Sequence, residues 1–368
     1  MAQKTFASDL YYRACCFVLY FVAAAAAFNG YYDKWHLAEA GAAGEDDRFH
    51  FEMMVDGTAY RPYIFRQLLP ATANWVDSAT PRNFKTWLYD LQSGPAAQMD
   101  PFFDSPAAEN PAYFFRYLIV YSGTFLFTLL AVWAMHLVCR ELAIPSTAAA
   151  LAPAVVILLL PYLQSGGGFF YDFPELAFLA LAVWAALKFD WWWIVPLAAL
   201  GTWNKESFLF VLPTLYPFLR PRQSRIGALL GIAVLCLVSV AVSFPIRLHF
   251  AHNPGGALEL HWRDQLRAFL HPLNLLFAAE KTYGVWAPRA FTVLPMALLV
   301  WTAKRGWSLL PRFVQRHGQI AAAINFPLYF LFCSEGELRN LSLLYIVLLL
   351  LLAVNLNDWI GRSASGTA

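Results

Sequence analysis

The chain has 368 residues, 59% of them hydrophobic and only 14% charged, with a formal net charge of +2. Soluble domains carry about 25% charged residues, so this composition and a positive mean hydropathy exclude an ordinary soluble protein. The net charge says nothing about nucleic acid, and no basic stripe suggests it as a partner; the five cysteines (Cys15, Cys16, Cys139, Cys236, Cys333) all lie in or beside apolar runs, so no disulfide framework is expected.

The first apolar run, Cys15–Phe28, follows Lys4 and Arg13 and ends in "FNGYYD". That ending lacks a small-x-small cleavage pattern and reads as a retained membrane helix. A long hydrophilic stretch follows, about 30–111, rich in acids that include Asp33, Asp46, Asp47 and Asp56. Within it, Phe49, Met53 and Met54 give a weak helical stripe that Gly57 ends, and Tyr60–Leu69 reads as a second amphipathic piece lying at the membrane interface. Further apolar runs at Leu118–Val138, Ala148–Leu163 and Pro174–Leu187 read as helices. Between the last two, "SGGGFFYDFPE" carries Gly166–Gly168, which suit a tight turn or a close approach, and Asp172 and Glu175, which have the spacing of a capping box.

The stretch "WNKESF" (Trp203–Phe208) puts Lys205 and Glu206 between apolar arms of about 13 residues, each reaching roughly 20 Å. Lys188 precedes the arms and Arg220 follows them, so the chain should turn round at Asn204–Glu206 as a hairpin tip inside the membrane, covered by protein or water. Adjacent helix positions point about 100° apart, so Lys205 and Glu206 should not pair with each other, and Glu206 should meet an arginine from another loop. "WWW" (Trp191–Trp193) reads as an interfacial aromatic belt. Ile226–Phe244 is the next helix, and "HFAHNPGG" ends it. A second hydrophilic loop, about 247–289, contains the interfacial-looking "LHWRDQLRAFLHPLNLLFAAEKTYG". Phe291–Trp301, Ile320–Cys333 and Leu341–Leu356 complete the set, with "SEGELRN" before the last, where Glu335, Glu337 and Arg339 could pair among themselves.

These elements give an all-α integral membrane protein. It is a single domain over 1–368, a polytopic bundle of about nine or ten transmembrane or half-spanning helices, with a long first outer loop carrying interfacial helices. Short basic clusters at Arg13, Arg140, Lys188, Arg220–Arg225 and Lys304–Arg316 fall on one side, which places the N-terminus in the cytoplasm and the acidic loops on the periplasmic face.

An acidic pair (Asp46-Asp47) beyond the first membrane helix, an aromatic four residues on (Phe51) and a short helix ending in glycine resemble the first luminal loop of the GT-C glycosyltransferases. "YRPYIFRQLLP", the Lys205-Glu206 hairpin tip and "GELRN" are further likenesses. Protein O-mannosyltransferases and bacterial lipid A aminoarabinose transferases belong to that class. The resemblance implies a sugar moved from a polyprenyl-phosphate donor to a glycan, lipid or protein acceptor, on the outer face of a bacterial inner membrane. That chemistry needs a carboxylate base, cations for the phosphate leaving group and a groove for the polyprenyl chain. Asp46 or Asp47 is the candidate base, with Asp33 as the alternative. Arg61, Arg66, Lys205 and Arg339 are candidate phosphate ligands, and Glu206, Asp172 and Glu337 candidate substrate contacts. No zinc signature is present; the acidic pair with a phosphate would suit a hard divalent cation, which nothing in the sequence requires. A transporter or lipid flippase, or a noncatalytic scaffold on the same fold, are the competing readings.

Overall fold

The computed structural model describes residues 2–32, 34, 50–93, 105–164, 168–256, 258–333 and 336–365. Asp33, Asp46, Asp47, Gly166, Gly167 and Glu335 lie outside them. The described chain is a helical bundle. In order, its helices are α1 (Ala2–Tyr32), α2 (Phe51–Asp56), α3 (Leu68–Ala79), α4 (Arg82–Gln92), α5 (Pro106–Glu109), α6 (Phe114–Glu141), α7 (Ser146–Leu163) and α8 (Asp172–Lys188). They continue with α9 (Val195–Asn204), α10 (Tyr216–Leu219), α11 (Arg225–His249), α12 (Trp262–Phe269), α13 (Pro272–Phe277), α14 (Val293–Gly306), α15 (Arg312–Phe332) and α16 (Tyr345–Ser365).

Among the described residues, five segments are long and apolar enough to cross a membrane: Leu10–Tyr32, Phe114–Glu141, Ser146–Leu163, Arg225–His249 and Leu338–Arg362. The shortest rises about 27 Å and the longest about 42 Å, against a hydrocarbon core of about 30 Å. α11 shows how such a helix meets lipid. Ile226, Leu229, Leu230, Leu237, Phe244 and Leu248 are all exposed, a contiguous apolar surface that a water-soluble protein would bury.

Small residues let the helices approach closely. Ala23, Ala24 and Ala27 of α1 are buried, as are Ala148, Ala149 and Ala152 of α7, against which α1 packs. Between apolar helices in lipid, such small faces allow dispersion contact along the backbone. α6 packs most extensively on α8, where the Phe127 and Phe178 rings lie 5.4 Å apart. Several buried polar side chains find partners within the bundle. The Tyr20 hydroxyl lies 2.8 Å from Nδ1 of His136, and the Thr124 and Thr128 hydroxyls donate back to carbonyls four residues earlier.

The helix ends sort into two groups. The turn 142–145, the segment Leu309–Pro311 and the end of α16 near Asn357 border one shallow cavity. Arg305 pairs with Asp358 at 3.0 Å, and Arg222 donates to the Phe189 carbonyl at 2.8 Å. The basic ends of the helices therefore gather together. At the opposite end lie the close of α1, the start of α8, the close of α9 and the segment preceding α16.

Local sequence explains most of the departures from expectation. α2 ends as its glycine requires: Gly57 takes φ +75°, the left-handed region that favours glycine, and donates its N–H to the Met53 carbonyl. Tyr60–Leu69, expected to be one amphipathic piece, is not a helix. Pro62 disfavours helical backbone at the residue before it, and Arg61 instead forms a bridge to Gly255, with a short 3-10 turn at Tyr63–Phe65 and α3 starting only at Leu68. The second loop contains α12 and α13 but also an unexpected hairpin, β1 (Ala279–Thr282) and β2 (Val285–Pro288), antiparallel and turned by Tyr283-Gly284 with positive φ at both. Both central residues at φ > 0 is the turn that matches the twist of two strands.

Candidate functional site

Four distant segments meet where α9 stops. α9 is only ten residues long and rises about 15 Å, half a membrane thickness. At Lys205 the backbone becomes extended, and the chain continues as 3-10 turns over Glu206–Phe210 and Leu212–Leu215 before α10. The hairpin tip at "WNKESF" is therefore a real break. Asn204 secures it by donating to the Tyr171 carbonyl at 2.9 Å.

Lys205 is 6% exposed. Its Nζ donates to Glu175 at 2.6 Å and lies 3.9 Å from Asp172. Asp172 in turn meets Arg339 at 3.3 Å, and Arg339 meets Glu337 at 2.9 Å. Ser342 donates to the other oxygen of Glu175 at 2.7 Å, and Asn340 donates to Glu337 at 3.0 Å. Glu206 turns away from Lys205 and faces Arg66, at 3.6 Å. This is the expected arginine partner from another loop, although the two side chains part because the backbone is extended at Lys205 rather than by helical geometry. Arg66 also donates to the Tyr171 hydroxyl. Burial opposes the Arg66 charge, but the surrounding oxygens of Tyr171, Glu206 and Tyr63 outweigh it and hold its pKa above the ordinary arginine value.

Aromatic rings from the glycine-rich loop form the layer beneath these cations. Phe169 and Tyr171 stack with centroids 5.1 Å apart, the Arg339 guanidinium lies 4.5 Å over Phe169, and the Arg66 guanidinium lies 4.4 Å over Tyr171. Their faces add cation–π attraction to the ion pairs. The loop can sit this close because position 168 is glycine. A Cβ there would lie 2.3 Å from the buried Tyr31 ring, and the Gly168 N–H bonds the Lys34 carbonyl at 2.9 Å.

A cavity of about 600 Å³ opens on this cluster. Its polar floor includes Arg66, Lys205, Glu206, Glu337 and Arg339. Its apolar wall comes from Leu209 and Phe210 after the hairpin tip, Val240 and Phe244 of α11, and Leu328 and Phe332 of α15. Comparison with family models, curated proteins and solved structures returns no match for this chain. The geometry therefore stands alone, and it brings together six of the residues singled out in the sequence: Arg66, Lys205, Glu206, Asp172, Arg339 and Glu337.

Arg61 is placed elsewhere. Its guanidinium donates to the Gly255 carbonyl at 2.6 Å and its N–H to the Pro254 carbonyl at 2.9 Å, so it ties the first hydrophilic loop to the second. Asp46 and Asp47 lie outside the described residues. Among those described, no three His, Cys, Asp or Glu side chains come together as metal ligands.

The capping-box expectation is corrected. Tyr171, not Asp172, is the N-cap of α8. Asp172 accepts from the Phe169 N–H at 2.9 Å and faces Arg339, while Glu175 is committed to Lys205 and Ser342. Tyr171 is the residue that sequence reasoning missed, and Glu175, expected first as a capping residue, belongs to the cluster instead. A signal existed: Asp172 and Glu175 are i, i+3 and share a helix face, so placing one in the site implies the other.

The cluster's charge balance decides what it can do. Three cations (Arg66, Lys205, Arg339) meet four carboxylates (Asp172, Glu175, Glu206, Glu337) within 3.9 Å. Each cation is already matched. The carboxylates with most exposure are Glu206 and Glu337, with side chains 20% and 17% accessible, so the floor presents acceptor oxygens with guanidinium charge behind them.

Proposed function

We propose that this protein is a membrane glycosyltransferase of GT-C type, which moves a sugar from a polyprenyl-phosphate donor to an acceptor on the periplasmic face of a bacterial inner membrane. The observation that carries this reading is one cavity with both halves of an amphiphile's complement. It has a charged, hydrogen-bonding floor drawn from the first loop, the hairpin tip and the segment before α16, and an apolar wall from α11 and α15. A polyprenyl chain fits the wall, and a sugar with many hydroxyl groups fits a floor that both donates and accepts.

In this reading the acceptor hydroxyl oxygen attacks the anomeric carbon. The bond from that carbon to the phosphate oxygen breaks, its electron pair leaves on the phosphate, and the acceptor's proton passes to a carboxylate. Asp46 or Asp47 takes that proton. Cations at the cavity offset the charge that grows on the departing phosphate.

The test is transfer by the full chain in lipid nanodiscs. The donors are polyprenyl-phosphate hexose and pentose, and the readout is release of polyprenyl phosphate with a glycosylated product. Asp46→Asn or Asp47→Asn abolishes transfer while the protein stays folded. Unaltered transfer in both single variants and in the double variant removes these residues as the base.

A transporter is the second reading, favoured by the broken hairpin at Lys205, since interrupted membrane helices often form substrate sites in transporters. Substrate flux into proteoliposomes without a covalent product would decide for it.

A further inference from the structure

One cavity-lining cation stands apart from the paired cluster. Arg247 lies near the C-terminal end of α11, two residues before the helix stops. It is exposed, and its guanidinium rests 5.3 Å over the Phe65 ring. Among the described residues no carboxylate pairs with it, in contrast to Arg66, Lys205 and Arg339.

Its position on the helix matters as much as its charge. Val240, Ser243, Phe244 and Arg247 all line the cavity and follow one another at helical spacing, so a single stripe of α11 runs from apolar to cationic. Leu328 and Phe332 of α15 line the same cavity. An amphiphile with an anionic head and an apolar tail matches that polarity.

Elementary electrostatics separates the two kinds of cation. An anion arriving at Lys205 or Arg339 must displace a carboxylate already in hydrogen-bond contact, exchanging one negative partner for another. At Arg247 it supplies a partner that is otherwise missing, and a guanidinium suits phosphate oxygens with paired N–H groups. We propose that Arg247 is the residue that docks the phosphate of the amphiphilic ligand at the cavity, with the ligand's chain along the wall of α11 and α15. The floor, whose cations are all paired, is then left for the neutral, hydroxyl-bearing part, whose O–H groups donate to Glu206 and Glu337. The assignment of that neutral part as a sugar rests on the glycosyltransferase reading; the phosphate dock at Arg247 needs only an anionic amphiphile.

The experiment is equilibrium binding to the full chain in phosphatidylcholine nanodiscs. The probes are a short-chain polyprenyl monophosphate, the matching polyprenol and inorganic phosphate. The wild type binds the monophosphate more tightly than the polyprenol. Arg247→Gln weakens the monophosphate about tenfold or more, the size of one lost charge-assisted contact, and leaves the polyprenol unchanged. Arg247→Lys keeps part of the affinity. Inorganic phosphate at the same concentrations does not compete, which separates a lipid phosphate from a free one. Several results would overturn the proposal. If Arg247→Gln binds the monophosphate like the wild type, the dock is elsewhere while the glycosyltransferase reading survives. Equal weakening of monophosphate and polyprenol would show a packing effect rather than a charge contact. Full competition by inorganic phosphate, or by anionic phospholipid added to the nanodisc, would replace a lipid-phosphate site with a generic anion patch. A wild type that binds no probe overturns the inference and the donor assignment together.

Discussion

The sharpest structural prediction concerns Lys205. Replacing it with methionine keeps an unbranched chain of similar length but removes the charge. Its two carboxylates are then affected unequally. Asp172 keeps Arg339 at 3.3 Å and the Phe169 N–H at 2.9 Å. Glu175, with a side chain only 5% accessible, keeps just the Ser342 hydroxyl at 2.7 Å. The loss therefore falls mainly on Glu175. Removing one partner of a buried ion pair costs about 3–5 kcal/mol, so Lys205→Met should destabilise by about 3 kcal/mol or more. Converting Glu175 to Gln removes the stranded charge while its amide oxygen still accepts from Ser342. The double variant Lys205→Met/Glu175→Gln should then cost less than Lys205→Met alone, with a coupling of about 2 kcal/mol. Unfolding of the detergent-solubilised protein by increasing fractions of sodium dodecyl sulfate, followed by tryptophan fluorescence, gives the four corners of the cycle. Additive costs for the two substitutions, or a Lys205→Met loss below about 1 kcal/mol, would refute the view that Lys205 is a buried, committed ion-pair partner.

Two further perturbations separate packing from chemistry. Gly168→Ala places a Cβ 2.3 Å from the fully buried Tyr31 ring, an overpacking expected to cost about 1–3 kcal/mol, visible as a lowered unfolding midpoint; an unchanged midpoint would mean the loop yields without strain. Arg61→Ala removes the contact to the Gly255 carbonyl and should lower stability by about 1 kcal/mol without altering polyprenyl-phosphate binding. A loss of binding with stability intact would return Arg61 to the site.

Much of the bundle was legible because its signals are local. Long apolar runs specify helices whatever surrounds them, and the basic clusters at Arg140, Lys188, Arg222 and Arg305 mark helix ends that the structure does gather together. The hairpin break was legible from chain length; that Lys205 and Glu206 part follows from the extended backbone at Lys205, not from the helical geometry expected there. What escaped depends on partners far away in sequence. Glu175 looked like a helix-start residue because nothing nearby in the chain reveals Lys205, thirty positions later, or Ser342. Arg61 and Arg66 are chemically alike and five residues apart, yet one ties a loop to Gly255 and the other enters the cavity. The direction is set by the backbone turn at Pro62–Phe65, which an amphipathic pattern does not encode.

The charge balance of the site follows from where it is built. A lone cation between apolar helices is costly, so a lysine at a broken hairpin needs a carboxylate before any ligand arrives. Glu175 supplies it from α8, Asp172 bridges from the same helix to Arg339, and Glu206 engages Arg66 across the cavity. The network thus joins α8, the hairpin tip, the first loop and the segment before α16. The same pairing that makes these charges tolerable leaves them poorly disposed to capture another anion. On the proposed reading, a phosphate would be met by a separate cation with no carboxylate partner among the described residues, while the paired carboxylates remain available to hydroxyl groups. Arg247, exposed and lining the cavity, is that cation.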